Sequence, residues 1–230
     1  MLLLIFFTYT TNVYYTANYV FAAESVSYRC KDEVNDHYCS LSNSTNCSEW
    51  VYESQDSFLA YFQLPCQEWK RTLVGTVHGF GYMCGLLLIG PLSDKFGRKI
   101  VVIVAGIFGG FFGILRSFSI WYWFYIAMEF LESAIGDNCS PMYVLSLEIT
   151  ATKKRLLFCM LCGLGHVFGG VTLPIIAYFV PNWRWFLRTI YSLGFLFFFY
   201  IFLLDESPRW LLTKGRKNEA VAILEKAARN

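Results

Sequence analysis

The sequence predicts an all-α membrane protein with six transmembrane helices and a cytoplasmic amphipathic helix. Of its 230 residues, 56% are hydrophobic and only 16% are charged, whereas soluble domains carry about 25% charged residues. Six apolar runs approach or exceed the roughly 20 residues that a helix needs to cross a bilayer. The ten-residue alternating pattern of a membrane β-barrel is not seen. Helices are therefore the expected spanning elements.

The runs divide the chain into a first transmembrane helix (1–23), an external loop (24–71), transmembrane helices two to six (72–212) and a cytoplasmic helix (213–230). They lie near 1–23, 72–92, 100–118, 119–143, 156–180 and 184–204. The first run has an alternative interpretation as a secretory signal peptide that ends near Ala22. Its lack of a basic start and its interspersed Thr, Tyr and Asn residues favour a transmembrane helix.

The distribution of charge predicts the orientation of the bundle. The segments after the second and fourth runs and the C-terminal tail hold 12 of the 19 basic residues, and the loop 24–71 holds eight acidic and four basic residues. Because cytoplasmic loops are enriched in Lys and Arg, both termini are expected in the cytoplasm. We expect an integral protein of the plasma membrane with the loop 24–71 outside.

The composition of this loop fits an oxidising compartment. It carries four cysteines, for which we expect two disulfides with three possible connectivities: Cys30, Cys39, Cys47 and Cys66. It also carries two glycosylation sequons, at Asn43 and Asn46. The two sites overlap, and Asn46 is the poorer one if Cys47 is bridged. The other four cysteines lie in apolar runs and are interpreted as packing residues.

The segment between the second and third runs carries an ordered motif, Gly90-Pro91-Leu92-Ser93-Asp94-Lys95-Phe96-Gly97-Arg98-Lys99. Gly90 and Gly97 are expected to form the turn, because glycine permits backbone conformations that other residues avoid. Asp94 can pair with a cation or a helix N-terminus, and Arg98 is its expected partner. The motif resembles the loop signature of the major facilitator superfamily, G-x-L-[SA]-D-[RK]-x-G-R-[RK].

Two further elements resemble the sugar and organic-ion branch of that superfamily. Glu148 and Arg155 match its E-x6-R element, and the segment 205–211 matches PESPRWL with Asp205 in place of the first proline. The resemblance implies a cytoplasmic charge network that latches one conformation. Its expected members are Asp94, Arg98, Lys99, Glu148, Arg155, Glu206 and Arg209.

The large external loop with its cysteines and sequons is similar to that of the organic cation/anion transporter family. The stretches 129–132 and 143–145 are similar to the insect members of that family. This resemblance implies the N-terminal six-helix lobe of a twelve-helix major facilitator fold, which moves small organic ions, mainly cations, by alternating access. A missing C-terminal lobe or self-association would then complete the substrate site. The alternatives are a truncated protein that regulates a full-length relative and, less well supported, a disulfide-stabilised surface receptor.

Ionisable residues inside the runs are candidates for substrate binding, because charges are costly in a membrane. Glu129 and Glu132 are three residues apart and share a helix face. They either attract a cation or take up a proton, or they are structurally paired; both interpretations stay open. His78 and His166 are the further candidates. The family often has an Arg-x-x-x-Gly element here, but the fourth run has no arginine.

Other classes of function lack support in the sequence. We find no phosphate-binding loop, no metal-ligand cluster with sound spacing and no nucleophile elbow. The net charge of +2 provides no basic field for nucleic acid. We therefore expect no enzymatic activity, no cofactor, no metal ion and no nucleic-acid partner.

Overall fold

The computed structural model describes residues 2–31, 50–150 and 155–229, except for the side chains of residues 30 and 226–229. In this part of the chain the elements are α1 (Leu2–Ala22), β1 (Tyr28–Cys30), β2 (Trp50–Tyr52), α2 (Phe58–Tyr61), α3 (Glu68–Phe96), α4 (Arg98–Ser117), α5 (Tyr122–Ile135), α6 (Cys139–Ile149), α7 (Arg155–Phe179), α8 (Trp183–Ser192), a 3-10 helix (Leu193–Phe199), α9 (Tyr200–Leu203), α10 (Pro208–Thr213) and α11 (Lys217–Arg229).

Four helical segments in the described part of the chain are long and apolar enough to cross a membrane. They are α3, α4, α7 and the continuous stretch Trp183–Leu203 that joins α8, the 3-10 helix and α9. They correspond to the second, third, fifth and sixth predicted runs. The bundle is centred on α4, which packs against α5, α6, α8 and the 3-10 helix.

The prediction of one continuous helix in the fourth run, 119–143, is wrong. The helix ends at Ile135, and α6 begins at Cys139 after a short break. The buried Asp137 side chain caps α6: it accepts hydrogen bonds from the backbone N–H groups of Cys139 (3.1 Å) and Ser140 (3.2 Å). These contacts satisfy N–H groups that lack partners at a helix start, which explains the break.

Helix α1 is an integral part of the bundle, because it packs along α7. Gly165 and Gly169 of α7 bring their backbone close to the α1 carbonyl groups of Phe6 and Thr10. The Thr10 hydroxyl donates a hydrogen bond to the Gly165 carbonyl (3.2 Å). These contacts fit the interpretation of the first run as a membrane helix better than that as a signal peptide.

The described parts of the external loop lie over one end of the bundle. Strands β1 and β2 pair in antiparallel register, with Tyr28 opposite Tyr52. The buried Phe58 ring lies 4.8 Å from Tyr125 and 5.7 Å from Trp183. Cys66 is disulfide-bonded. The predictions for Cys39, Cys47, Asn43 and Asn46, and for the side chain of Cys30, concern atoms outside the described part.

The four cysteines outside the loop are free thiols: Cys84, Cys139, Cys159 and Cys162.

At the opposite end, α3 continues through Gly90 and Pro91 to Phe96. The prediction that Gly90 forms part of the turn is therefore wrong, because the backbone is still helical there. Gly97 alone makes the turn, with a φ angle of 101° that L-amino acids with a side chain rarely adopt. This single residue is both the C-cap of α3 and the N-cap of α4.

Candidate functional site

A cluster of four ionisable side chains lies in the interior of the helical bundle; we call His78, Arg116, Glu129 and Glu132 the buried cluster. Arg116, Glu129 and Glu132 are 0% exposed and His78 is 6% exposed. They come from three helices: His78 from α3, Arg116 from α4 and the two glutamates from α5. Charged groups this far from water must be compensated by one another, because burying an isolated charge is very costly.

Arg116 is the cation at the centre of the cluster. One guanidinium nitrogen forms an ion pair with Glu129. The other donates hydrogen bonds to the Asn18 side-chain carbonyl (2.5 Å) and to the Tyr191 hydroxyl (3.0 Å). Arg116 therefore connects α4 to α1, α5 and α8 through polar contacts.

Aromatic rings surround the same guanidinium. Its central carbon lies 5.2 Å from the centre of the Tyr125 ring and 5.3 Å from that of Tyr191. Tyr15 stacks on Tyr191 at 5.0 Å. Gly113 makes room for Tyr191, since a β-carbon at this position would collide with that ring. The ring faces add cation–π attraction to the ion pair.

The two glutamates have different surroundings although they lie one helical turn apart. Glu129 is in contact with two partners: Arg116 and, through its other oxygen, His78 Nδ1 at 2.8 Å. The nearest side-chain nitrogens to Glu132 are at 3.9 Å, on His78, and at 4.0 Å, on Arg116. The Tyr191 hydroxyl is its hydrogen-bonding neighbour. Glu129 is thus held in a close ion pair, and Glu132 is held less closely.

Glu132 lies at the wall of a small polar cavity. The cavity has a volume of about 10 Å³, close to the minimum that one water molecule needs. Its lining also includes Asn12 and Tyr15 from α1, Tyr82 from α3, and Asp137. In this conformation the cavity is too small for an organic molecule.

The donor atoms of His78, Glu129 and Glu132 lie within 4.8 Å of one another, which is also the spacing of a metal site. The Arg116 guanidinium already forms an ion pair with one of these carboxylates and lies 4.0 Å from the other. With both carboxylates ionised and the guanidinium charged, the cluster carries −1, so a divalent metal ion would leave it with a net charge of +1 in a low-dielectric interior. We therefore assign no metal ion to the cluster.

His166 lies apart from the other predicted binding residues. It is exposed on α7, and its ring lies 6.4 Å from that of Tyr9 at the α1–α7 contact. The structure thus brings together three of the four predicted residues, His78, Glu129 and Glu132, and leaves the fourth on the surface of the bundle.

A second group of charges lies at the turn between α3 and α4; we call Asp94, Arg98, Lys99, Glu148, Glu206 and Ser207 the signature network. Arg98 forms ion pairs with Asp94 at 3.0 Å and with Glu148 of α6 at 3.3 Å. Glu148 in turn accepts a hydrogen bond from the Ser207 hydroxyl. The loop motif, the end of α6 and the start of α10 are therefore joined through three side chains.

Glu206 caps the start of α4. Its carboxylate accepts hydrogen bonds from the Lys99 N–H (3.1 Å) and from the Ser207 N–H (2.8 Å). The same carboxylate occupies the space that a β-carbon at Gly97 would need. A carboxylate at this place also interacts favourably with the helix dipole. Glycine at position 97 is thus required both by the turn and by its neighbour.

Two predicted members of the network lie outside these contacts. Arg155 and Arg209 are both exposed, and within the described residues neither forms an ion pair with Glu148 or Glu206. Trp210, which was not predicted as a member, donates a hydrogen bond from its indole nitrogen to the Asp94 carbonyl (2.9 Å). The segment 205–211 thus reaches the loop motif through Trp210 and Ser207 instead of Arg209.

Sequence reasoning missed Arg116, which is the central residue of the buried cluster. The prediction noted that the fourth run has no arginine, and this is correct. The positive charge comes from the neighbouring helix instead. The signal was present in the sequence, because Arg116 is the one basic residue inside the third run, 100–118.

Comparison with known proteins identifies the family. The model of the "Sugar (and other) transporter" family matches residues 2–230. The chain is 30% identical over 231 residues to an organic cation transporter-like protein of Drosophila melanogaster, covering 96% of this chain and 40% of that protein. It is 33% identical over 195 residues to the organic cation/carnitine transporter 2 of Rattus norvegicus, covering 80% and 34%. The chain thus spans about a third to two fifths of the length of these relatives.

Solved structures show the same fold. The xylose transporter XylE from E. coli, in a partially occluded inward-open conformation, aligns with 98% of this chain and 54% of its own with a TM-score of 0.71 at 17% identity. This likeness concerns the fold alone. The family model and the relatives together show that the chain is an integral membrane protein that belongs to the sugar and organic-ion transporters of the major facilitator superfamily and corresponds to their N-terminal half.

Proposed function

We propose that this chain is the six-span N-terminal lobe of a secondary transporter that moves small organic ions, mainly organic cations, across the plasma membrane by alternating access. In this proposal the six spans are the four long apolar segments, α1 and the α5–α6 pair. Both termini and the amphipathic helix α11 lie in the cytoplasm. The named relatives are an organic cation transporter-like protein and an organic cation/carnitine transporter, and this supports the substrate class.

The buried cluster is the observation that carries the proposal. Ionisable residues within a membrane segment are rare, and they mark the pathways of ions and charged substrates. The cluster has two carboxylates and one arginine, so its fixed charges favour a positively charged partner over an anion. Glu132, whose nearest side-chain nitrogens are 3.9 Å and 4.0 Å away, is the residue of the cluster that can meet such a partner.

The exposed face of α7 supports the presence of a second lobe. His166 lies next to the midpoint of this 25-residue helix and is exposed, as are Gly163 and Gly170 on the same side. An imidazole that faces lipid at mid-membrane is costly, and small residues mark faces where another helix packs closely. A C-terminal lobe, or a second copy of this lobe, would cover this face and enclose the substrate site.

The signature network provides contacts that can form and break during alternating access. It ties the α3–α4 turn to α6 and α10 on the side of the bundle that is expected to face the cytoplasm. Rocking of one lobe against the other requires such contacts to form in one conformation and to break in another. We propose that the closed network, with Arg98 between Asp94 and Glu148, stabilises one of the two end states.

Uptake of radiolabelled tetraethylammonium, a simple organic cation, tests the proposed activity. The assay compares cells that express the product of the native gene with cells that express its Glu132→Gln variant. We expect saturable uptake by the first and at least a tenfold lower rate in the second at equal surface expression. Glu225→Gln, which alters an exposed glutamate of α11, is the matched control and should transport normally.

Two results would contradict the proposal. The first is the absence of saturable uptake of this cation and of a matched anion, p-aminohippurate, by correctly localised protein. The second is uptake by the Glu132→Gln variant at the wild-type rate, which would remove the buried cluster from the transport pathway.

A further inference from the structure

We propose that Arg184 and Arg188 of α8 form a binding site for the phosphate group of a membrane phospholipid, in the leaflet on the side of the external loop. The site lies apart from the buried cluster and from the signature network. It rests on the membrane location of the helices and not on the proposed transport activity. The chemistry of two guanidinium groups at the edge of a bilayer identifies the partner.

The two arginines are held in place by the connection between α4 and α5. Arg184 Nη2 donates a hydrogen bond to the Ser119 carbonyl (2.8 Å). Arg188 Nε donates one to the Ser117 hydroxyl (3.0 Å). Residues four apart on a helix share a face, so both side chains leave α8 in the same direction. The two guanidinium groups therefore lie close together, where α8 meets the end of α4.

Aromatic rings lie against both guanidinium groups. The central carbon of Arg184 is 3.9 Å from the centre of the Tyr61 ring. That of Arg188 is 4.2 Å from the centre of the Phe118 ring and 4.9 Å from that of Trp185. A guanidinium group stacks on a ring through its flat face and donates hydrogen bonds from its edge. The rings thus orient the two groups and leave their edges available to a ligand.

The charges and most of the donors of this pair are unused. Within the described part of the chain neither arginine forms an ion pair, and the hydrogen bonds above use one nitrogen of each group. A guanidinium group carries five N–H donors, and Arg184 Nε is buried without a partner among the described atoms. A phosphate group offers negative charge and acceptor oxygens that match the planar fork of arginine. Phosphate is therefore the ligand that the pair fits.

The location of the pair assigns this phosphate to a lipid. Trp121 and Trp185 are 76% and 60% exposed at the same end of the bundle, and Phe118 is 58% exposed. Exposed tryptophans form a belt at the level of the lipid headgroups. Arginine side chains near the ends of membrane helices extend to this level as well. Phosphate groups of the bilayer are therefore the anions that surround the site.

A bound phosphate would fasten α8 to the connection between α4 and α5. Ser117, which contacts Arg188, directly follows Arg116 in the chain. Tyr191, which accepts a hydrogen bond from Arg116, lies about one helical turn after Arg188. Contacts of the lipid at the surface are thus linked through both helices to the buried cluster. We therefore expect the lipid to stabilise the folded protein.

Native mass spectrometry of the product of the native gene, purified in detergent, tests the site. The probes are phosphatidylcholine, diacylglycerol with the same acyl chains, and soluble glycerol phosphate. We expect the wild type to retain phosphatidylcholine and neither of the other two. Arg188→Gln removes charge-assisted hydrogen bonds, and we expect it to weaken phosphatidylcholine binding about tenfold. The matched control is Arg29→Gln, which removes an exposed charge of β1 and should bind as the wild type does.

Thermal unfolding in detergent provides a second readout. Phosphatidylcholine should raise the unfolding midpoint of the wild type, and diacylglycerol should not. Arg188→Lys keeps the charge without the planar fork, and it replaces Arg188→Gln as the test variant if the latter does not fold. It should show a smaller rise than the wild type.

Three results would overturn the proposal. Equal binding of phosphatidylcholine and diacylglycerol by the wild type would show that the phosphate is not recognised. Binding of phosphatidylcholine by the Arg188 variants as tight as that by the wild type would remove the pair from the site. Binding of glycerol phosphate as tight as that of the phospholipid would contradict the assignment to a lipid. Because no transport is measured, these outcomes are independent of the proposed function.

Discussion

The buried cluster and the signature network use the same residue types, arginine and glutamate, under opposite conditions. In the cluster, the side chains of Arg116 and Glu129 are 0% exposed. In the network, the side chains of Arg98 and Glu148 are 14% and 11% exposed, and that of Asp94 is 73% exposed. Water and salt therefore reach the second set of charges through Asp94 and leave the first set unscreened.

This difference teaches that the two sets have different tasks. Breaking a buried ion pair leaves a charge without a partner, so such a pair is strongly held and changes only when a charge is neutralised or a ligand arrives. A half-exposed pair contributes little free energy and exchanges easily with water. The cluster is thus suited to bind and release one positive charge. The network is suited to open and close during a conformational cycle.

Replacement of Arg116, the central cation of the buried cluster, should have the largest effect on stability. Arg116→Leu leaves two buried carboxyl groups without a cation, and we expect a loss of about 3–5 kcal/mol in the free energy of unfolding. The midpoint of thermal unfolding in detergent, followed by tryptophan fluorescence, measures it. Arg216→Leu, which removes an exposed ion pair with Glu219, is the control and should cost less than about 1 kcal/mol. Equal effects of the two variants would show that burial does not make the ion pair of Arg116 stronger than an exposed one.

The two glutamates of the cluster provide a sharper test, because the substitutions are chemically identical. Glu129→Gln removes the partner of Arg116, and we expect it to cost about 2–3 kcal/mol. Glu132→Gln leaves the ion pair between Arg116 and Glu129 in place, and we expect a cost below about 1 kcal/mol. The same unfolding assay compares them. A larger loss for Glu132→Gln would mean that Glu132, and not Glu129, is the main partner of Arg116.

Within the signature network, the turn should matter more than the charges. Gly97→Ala places a side chain at a φ of 101° and displaces the Glu206 carboxylate, and we expect it to cost about 1–2 kcal/mol. Gly90→Ala is the matched control, because no atom lies within 4 Å of its added β-carbon. This substitution should be neutral or stabilise by up to about 1 kcal/mol. Indistinguishable unfolding midpoints would contradict the role of the turn.

The exposed ion pair should have the smallest effect on stability. Asp94→Asn removes one of the two acidic partners of Arg98, and we expect a change below about 1 kcal/mol. The difference should shrink further at high salt, since exposed charges are screened. Unfolding midpoints of the wild type and the variant at low and high salt measure it. A cost above about 2 kcal/mol that salt does not alter would show that this pair is shielded from water like the buried cluster.

Much of this architecture could be predicted from the sequence, because apolar length is a local property. The second, third and fifth runs match α3, α4 and α7 to within four residues at either end. The break near Asp137 could not be predicted, since the cap depends on where one carboxylate points. Gly90 and Gly97 look alike in the motif, and only the backbone conformation shows that the turn needs Gly97 alone.

Three of the four residues of the buried cluster could be predicted from the sequence, and the fourth, Arg116, could not. Glu129, Glu132 and His78 stand out because they are polar residues inside apolar runs. Arg116 lies two residues from the end of the third run and resembles an ordinary basic residue at the end of a helix. Only four residues separate α4 from α5, so the two helices are expected to lie side by side. An arginine on one and a glutamate on the other therefore predict an ion pair. Which of the two glutamates it contacts required the three-dimensional structure.

The measurement that tests the account most directly is the rate of tetraethylammonium uptake by the wild type and by Glu132→Gln at equal surface expression. Glu132 is the carboxylate of the buried cluster whose nearest Arg116 nitrogen is 4.0 Å away. The account predicts saturable uptake by the wild type and a rate at least tenfold lower in the variant. Uptake by the variant at the wild-type rate would contradict the claim that the buried cluster lies on the transport pathway.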